Sequence, residues 1–160
     1  MPTDVTAALK TFFDTAAQPV VFLGAGVSAK AGLPTWVGLL EKMADFLQAH
    51  NALESQMVRD QVRRKNYTKA ATCFEIADAP EGDKNLLLRN LLDTFDANAL
   101  VPLAKLPFKT VLTTNFDRSI HNALAAARQA SPQDYKFGDI SFRDAVWETS
   151  LMVARIHGAA

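Results

Sequence analysis

Apolar residues recur at Leu9, Phe12, Phe13 and Ala16, a spacing that places them on one face of a helix over residues 5–17. Pro19 ends that pattern. Val20, Val21, Phe22 and Leu23 then form a continuous apolar run that leads into Gly24. A continuous run, unlike an alternating one, suits a parallel strand covered on both faces. Helical stripes dominate from Thr35 to about residue 95. The first is Leu39, Leu40, Met43, Phe46 and Leu47, the second Ala70, Phe74 and Ala77, and the third Leu87, Leu88, Leu91, Leu92 and Phe95. His50-Asn51, Asn66 and Ala79-Pro80-Glu81-Gly82-Asp83 punctuate them. A second strand is expected over residues 109–113, after Pro107, and an alanine-rich helix over 117–128. A loop over 132–138 and a third strand over 151–156, closed by His157-Gly158, follow. Strands alternating with helices imply an α/β fold with a mainly parallel sheet of about three recognisable strands. The helical stretch reads as a large insertion over roughly residues 36–106, between the first and second strands.

The 160 residues suit one compact domain, and about half are apolar, enough for a core. Lys plus Arg equal Asp plus Glu at 17 each. This balance argues against nucleic acid or an anionic membrane as the main partner. The basic cluster Arg59, Arg63, Arg64 and Lys65 reads as the solvated face of a helix. The single cysteine, Cys73, excludes an intrachain disulfide and a cysteine-built zinc site, so no metal is expected. Cys73 itself falls in an apolar stripe and reads as a small buried hydrophobe. The sequence shows no signal-peptide pattern and no apolar stretch of membrane-spanning length, so a soluble, cytoplasmic protein is expected.

Three groups of residues follow strand signals. Gly24-Ala25-Gly26-Val27-Ser28 comes directly after the first. Glycines there allow a tight turn and close approach of a ligand, and a helix starting near Ser28 would direct its amides at a pyrophosphate. The two glycines alone fit a plain turn as well as a nucleotide site. No lysine followed by serine or threonine stands at P-loop spacing, so phosphoryl transfer is not suggested. Thr113-Thr114-Asn115-Phe116-Asp117 closes the second strand, where α/β folds place their ligands. Taken locally, Thr114 or Asn115 would cap the next helix and Asp117 would favour its dipole. His157 closes the third. His50 reads as a helix-end residue and His121 as a helix-surface one, both structural.

The string from Gly24 to Pro34 resembles the sirtuin signature: glycine-alanine-glycine, a serine two residues on, then Gly32, Leu33 and Pro34. Thr113-Thr114-Asn115-Phe116-Asp117 is similar to the second sirtuin motif, with Thr114 in the place of its glutamine, and His157-Gly158 comes where the family has its catalytic histidine. The resemblance implies a Rossmann-like domain that binds NAD. It gives phosphate and ribose contacts to Gly24, Ala25, Gly26 and Ser28, and a ribose contact to Thr114. Asn115 would orient the ribose hydroxyls or an attacking water, and Asp117 would lie by the nicotinamide amide. His157 would be the general base. Where classical sirtuins continue with phenylalanine and arginine, this chain has Trp36 and Val37. Trp36 is open to two readings, an aromatic cover over the reactive ribose or ordinary packing.

The implied chemistry is cleavage of the nicotinamide–ribose bond. Water as acceptor makes an NAD hydrolase; an acyl-lysine makes a protein deacylase. Classical deacylases carry a four-cysteine zinc module after the histidine, whereas the one cysteine here precedes it. The zincless, helix-rich pattern is closest to bacterial sirtuin-like NADase domains of anti-phage defence, effectors that deplete NAD. Such effectors imply a downstream sensor domain or partner chain and a homo-oligomer. On this reading the chain is the amino-terminal part of one sirtuin-like domain, with the remainder missing after residue 160. A non-catalytic NAD-binding regulatory module and a lysine deacylase are the alternatives.

Overall fold

The computed structural model of the protein describes residues 4–16, 18–136, 138, 139, 145 and 151–156. Among these residues the sheet has four strands: β1 Val20–Leu23, β2 Thr110–Thr113, β3 Gln133–Lys136 and β4 Met152–Arg155. Their order is β1-β2-β4-β3 and every neighbouring pair is parallel. The register aligns Leu23 with Thr113, Thr113 with Arg155, and Arg155 with Lys136. All four strands therefore end level, and the loops that leave them open along one edge of the sheet.

The helices are α1 Val5–Thr15, α2 Ala25–Lys30, α3 Trp36–Gln48, α4 Ala52–Arg63, α5 Tyr67–Glu75, α6 Glu81–Asp93, α7 Val101–Ala104 and α8 Ser119–Arg128. The fold is α/β, a small Rossmann-like parallel sheet with a helical insertion between β1 and β2. The chain divides into two compact units, a helical one, Ser28–Phe95, and a sheet unit built from the segments on either side of it. Among the described residues, no helix is long and apolar enough to cross a membrane.

Two strand expectations change. Residues 133–136 were expected in a loop but form β3. Their sequence, Gln-Asp-Tyr-Lys, has no apolar run, because among the described residues β3 pairs only with β4 and its side chains stay mostly in solvent. The first strand was expected to be covered on both faces. It pairs only with β2 among the described residues, and Val20 and Phe22 are 47% and 60% exposed. The covered strands are β2 and β4; every residue of β4 is buried. The apolar stripe of α1 is likewise only partly used, since Leu9 and Phe12 are exposed.

In the sheet unit α8 buries Ile120, Ala123 and Leu124. Its last residue, Arg128, fastens the segment that enters β2. Arg128 Nε donates to the Ala104 carbonyl at 2.9 Å, and its two terminal nitrogens donate to the carbonyls of Phe108 and Leu106. The guanidinium also lies over the ring of fully buried Phe108, 4.9 Å from its centroid. Burial lowers the Arg128 pKa below its usual value.

In the helical unit the first two stripes form the core: Leu39, Leu40, Met43, Ala44 and Leu47 of α3 meet Val58 of α4, Ala70 and Phe74 of α5, and Ala77. Leu87, Leu88 and Leu91 pack against that cluster half-buried, as does Cys73. Thr35 caps α3 by accepting the Gly38 amide at 3.2 Å, and Asn51 caps α4 through the Leu53 and Glu54 amides. The buried Ser55 hydroxyl donates to the Ala44 carbonyl at 2.7 Å and ties α4 to α3. Lys84 is buried at the end of α5, where its ammonium donates to the Glu75 carbonyl at 2.8 Å and pairs with Glu81 at 3.0 Å. A cation at a helix carboxyl end compensates both its dipole and its unpaired carbonyls. His50 sits at the end of α3 with Nδ1 3.0 Å from the Phe46 carbonyl. Arg59 and Arg63 make surface ion pairs with Asp45 and Asp60, while Arg64 and Lys65 are exposed, so this cluster is a solvated face.

Candidate functional site

The level strand ends concentrate polar groups from β1, β2 and β4. Thr113, the last residue of β2, is fully buried, and its hydroxyl donates to the Leu23 carbonyl of β1 at 2.9 Å. The same hydroxyl accepts the Asn115 amide proton at 3.0 Å. Asn115 then sends its side-chain Nδ2 back to the Gly24 carbonyl, also at 3.0 Å. A longer bond runs from the half-buried Thr114 backbone N–H to Leu23 O at 3.4 Å. The turn after β2 is thus stitched to the turn after β1, and Asn115 is 9% exposed. The N-cap position of α8 is Arg118, three residues past Asn115.

Asp117 does cap. Its Oδ1 accepts the Ser119 amide at 2.9 Å and the Ser119 hydroxyl, and both residues are buried. An acidic group here also favours the positive end of the α8 dipole. Behind the turn lies a charged group that sequence reasoning missed. Arg155, at the end of β4, pairs with Asp134 of β3, and its Nη2 is 3.4 Å from the Asp117 carbonyl. Asp134 also meets Arg118 at 3.4 Å and His121 Nε2 at 3.7 Å. His121 was expected on a helix surface, but it is buried, because its face of α8 turns toward this carboxylate. Arginine and histidine as isolated letters gave no motif; only the parallel register brings them together.

The glycine turn differs in detail from its expectation. The helix after β1 starts at Ala25, not near Ser28, so Gly26 lies in its first turn. Neither Gly24 nor Gly26 has a positive φ, and a Cβ on either would meet nothing within 4 Å. A tight backbone turn therefore does not require them. What they leave is open space beside the Gly24 carbonyl that Asn115 holds. Ala25 and Gly26 are exposed and Gly24 half-buried.

Gly32 has the opposite origin. It has φ 91°, its amide bonds Ala29 O at 3.1 Å, and the Leu33 amide bonds Ser28 O at 3.1 Å. This pair of bonds is the left-handed termination that ends α2. So part of the glycine-rich string serves helix termination rather than a ligand. Ser28 is buried and, like Trp36, belongs to the helical unit. Trp36 opens α3 and is 38% exposed, so it is not a core residue. His157 and Gly158 lie outside the described residues. Among the described residues, no group of three or more His, Cys, Asp or Glu side chains could hold a metal ion.

No protein-family model matches the chain. Two relatives do. NAD(+) hydrolase ThsA of Cytobacillus dafuensis is 29% identical over 169 residues, covering 99% of this chain and 30% of that protein. NAD(+) hydrolase ThsA of Bacillus cereus (strain MSX-D12) is 29% identical over 147 residues, covering 86% of this chain and 27% of that protein. The chain thus spans less than a third of the length of either relative. Its similarity is to proteins named for NAD hydrolysis.

Proposed function

We propose that this chain is the nucleotide-binding part of a sirtuin-like NAD hydrolase, with NAD as its substrate at the carboxyl ends of β1 and β2. The observation that carries the reading is the bond from Asn115 Nδ2 to the Gly24 carbonyl. It joins the two motifs, 91 residues apart, on adjacent parallel strands, where α/β folds bind nucleotides. The open space over Gly24 and Gly26 accepts the pyrophosphate. By the resemblance to sirtuins, Ala25 adds a phosphate-side contact, Thr114 contacts ribose and Asp117 lies by the nicotinamide amide.

In the reaction, the bond between the anomeric carbon and the nicotinamide nitrogen breaks and its electron pair leaves with nicotinamide. Asn115 orients the ribose hydroxyls or the attacking water. His157 takes the proton as charge develops on the ribose. Water adds to the oxocarbenium-like carbon, and the products are nicotinamide, ADP-ribose and a proton. The resemblance to zincless defence effectors extends the proposal to NAD depletion in the cytoplasm by a homo-oligomer that also carries a sensor domain.

The glycine turn offers a test that separates folding from binding. Gly26→Ala puts a methyl group into the open space. In a helix, alanine is favoured over glycine by about 0.5–1 kcal/mol. The thermal midpoint should therefore hold or rise, while NAD affinity measured by calorimetry should fall about tenfold or more, ~1.4 kcal/mol. Unchanged affinity in both Gly26→Ala and Gly24→Ala would remove this turn from the site.

A further inference from the structure

Arg155 is a buried charge that the proposed reaction does not use. It is 3% exposed and ends β4, in register with Thr113 on one side and Lys136 on the other. Taking a guanidinium out of water is costly unless its partners are well placed. Neutralising Asp134 does not account for it. That carboxylate is 32% exposed and already has Arg118 and His121 beside it. What Arg155 adds is reach. One end of its guanidinium, Nη1, is bonded to Asp134 on β3, while Nη2 extends to the Asp117 carbonyl beyond the end of β2. Among the described residues its Nε finds no partner, and the group is anchored by its two terminal nitrogens.

The turn that carries Asn115 is thereby held from both sides. Toward β1, Asn115 is bonded to Gly24; toward β4, the Asp117 carbonyl is bonded to Arg155. We propose that Arg155 is a positioning residue, which ties the Asp117 backbone to Asp134 and so sets the Asn115 amide in its reactive orientation. The role rests on the NAD-cleavage reading above. It does not involve contact between Arg155 and NAD. A lysine at this position keeps a charge for Asp134, but one ammonium lacks the planar fork that spans both partners.

The test measures nicotinamide release, KM and thermal midpoint for the wild-type chain, Arg155→Lys, Arg155→Met and Asp134→Asn. Small misplacements of a reacting group cost up to about a hundredfold in rate. Arg155→Lys should keep a midpoint close to wild type and a KM within about twofold, while kcat falls about tenfold or more. Arg155→Met should lose kcat at least as far, and Asp134→Asn should shift kcat in the same direction. A wild-type kcat in Arg155→Lys overturns the positioning role and leaves the NAD-cleavage reading standing. So does a raised KM at unchanged kcat, which would mean direct substrate contact, or a kcat loss that only tracks the unfolded fraction. Absence of nicotinamide release from the wild-type chain overturns the NAD-cleavage reading first, and this role with it.

Discussion

Asn115→Ala is expected to lower kcat for nicotinamide release by about 10²–10³-fold, the usual loss when one preorganised polar group is taken from a reaction centre. The expectation follows from placement. Asn115 is buried, its backbone is fixed by Thr113 Oγ1, and its Nδ2 is fixed by Gly24 O. A side chain held at both ends meets its substrate without reorganising. Leaving the half-buried Gly24 carbonyl without this donor costs about 1–3 kcal/mol of stability, so the variant should remain folded. Asn115→Asp separates the two effects. It matches the shape, but it sets a carboxylate oxygen against the Gly24 carbonyl, and two acceptors repel. It should therefore lose stability as well as turnover. The measurement is steady-state kinetics alongside circular dichroism. A folded Asn115→Ala chain with wild-type kcat would remove Asn115 from the chemistry.

Arg128→Ala is expected to destabilise the fold by about 2–4 kcal/mol, because it strips a charged donor from several backbone carbonyls at once. Ala104, Leu106 and Phe108 all lose the same partner, and the ring of Phe108 loses its cation. These residues lead directly into β2, whose end carries Thr113 and the turn with Asn115. Arg128→Lys should recover only part of the loss, since an ammonium cannot fork among three carbonyls. Urea unfolding of the three proteins checks this. A change below about 0.5 kcal/mol in Arg128→Ala, the range of ordinary surface substitutions, would mean that the segment before β2 is held by packing alone.

Hydrophobic pattern made much of the fold legible. Val111 and Leu112 of β2, Met152 and Val153 of β4, and the stripes of α3 and α5 are apolar because their surroundings are. Where burial does not set the residue type, pattern is silent. β3 is polar because its side chains stay mostly in solvent, while its backbone pairs with β4 and Asp134 pairs with Arg155. β1 shows the converse, since an apolar run pairs on one side only among the described residues and has two exposed side chains. For the site, motif strings placed Gly24 and Asn115, and their contact is now explicit. The strings could not separate their own parts: Gly32 ends a helix, whereas Gly24 and Gly26 border open space. Arg155, Asp134 and His121 carried no signal at all, because their meeting depends on a strand order of β1-β2-β4-β3 that no local pattern encodes.

The central claim is that this chain takes part in splitting NAD into nicotinamide and ADP-ribose. Chromatographic analysis of NAD incubated with the wild-type protein and with His157→Ala tests it most directly. The account predicts equal amounts of nicotinamide and ADP-ribose from the wild type, and loss of both products, by about 10²–10⁴-fold in rate, when the proposed general base is removed. Wild-type protein that leaves NAD intact, or a His157→Ala protein that cleaves it at the full rate, would contradict it.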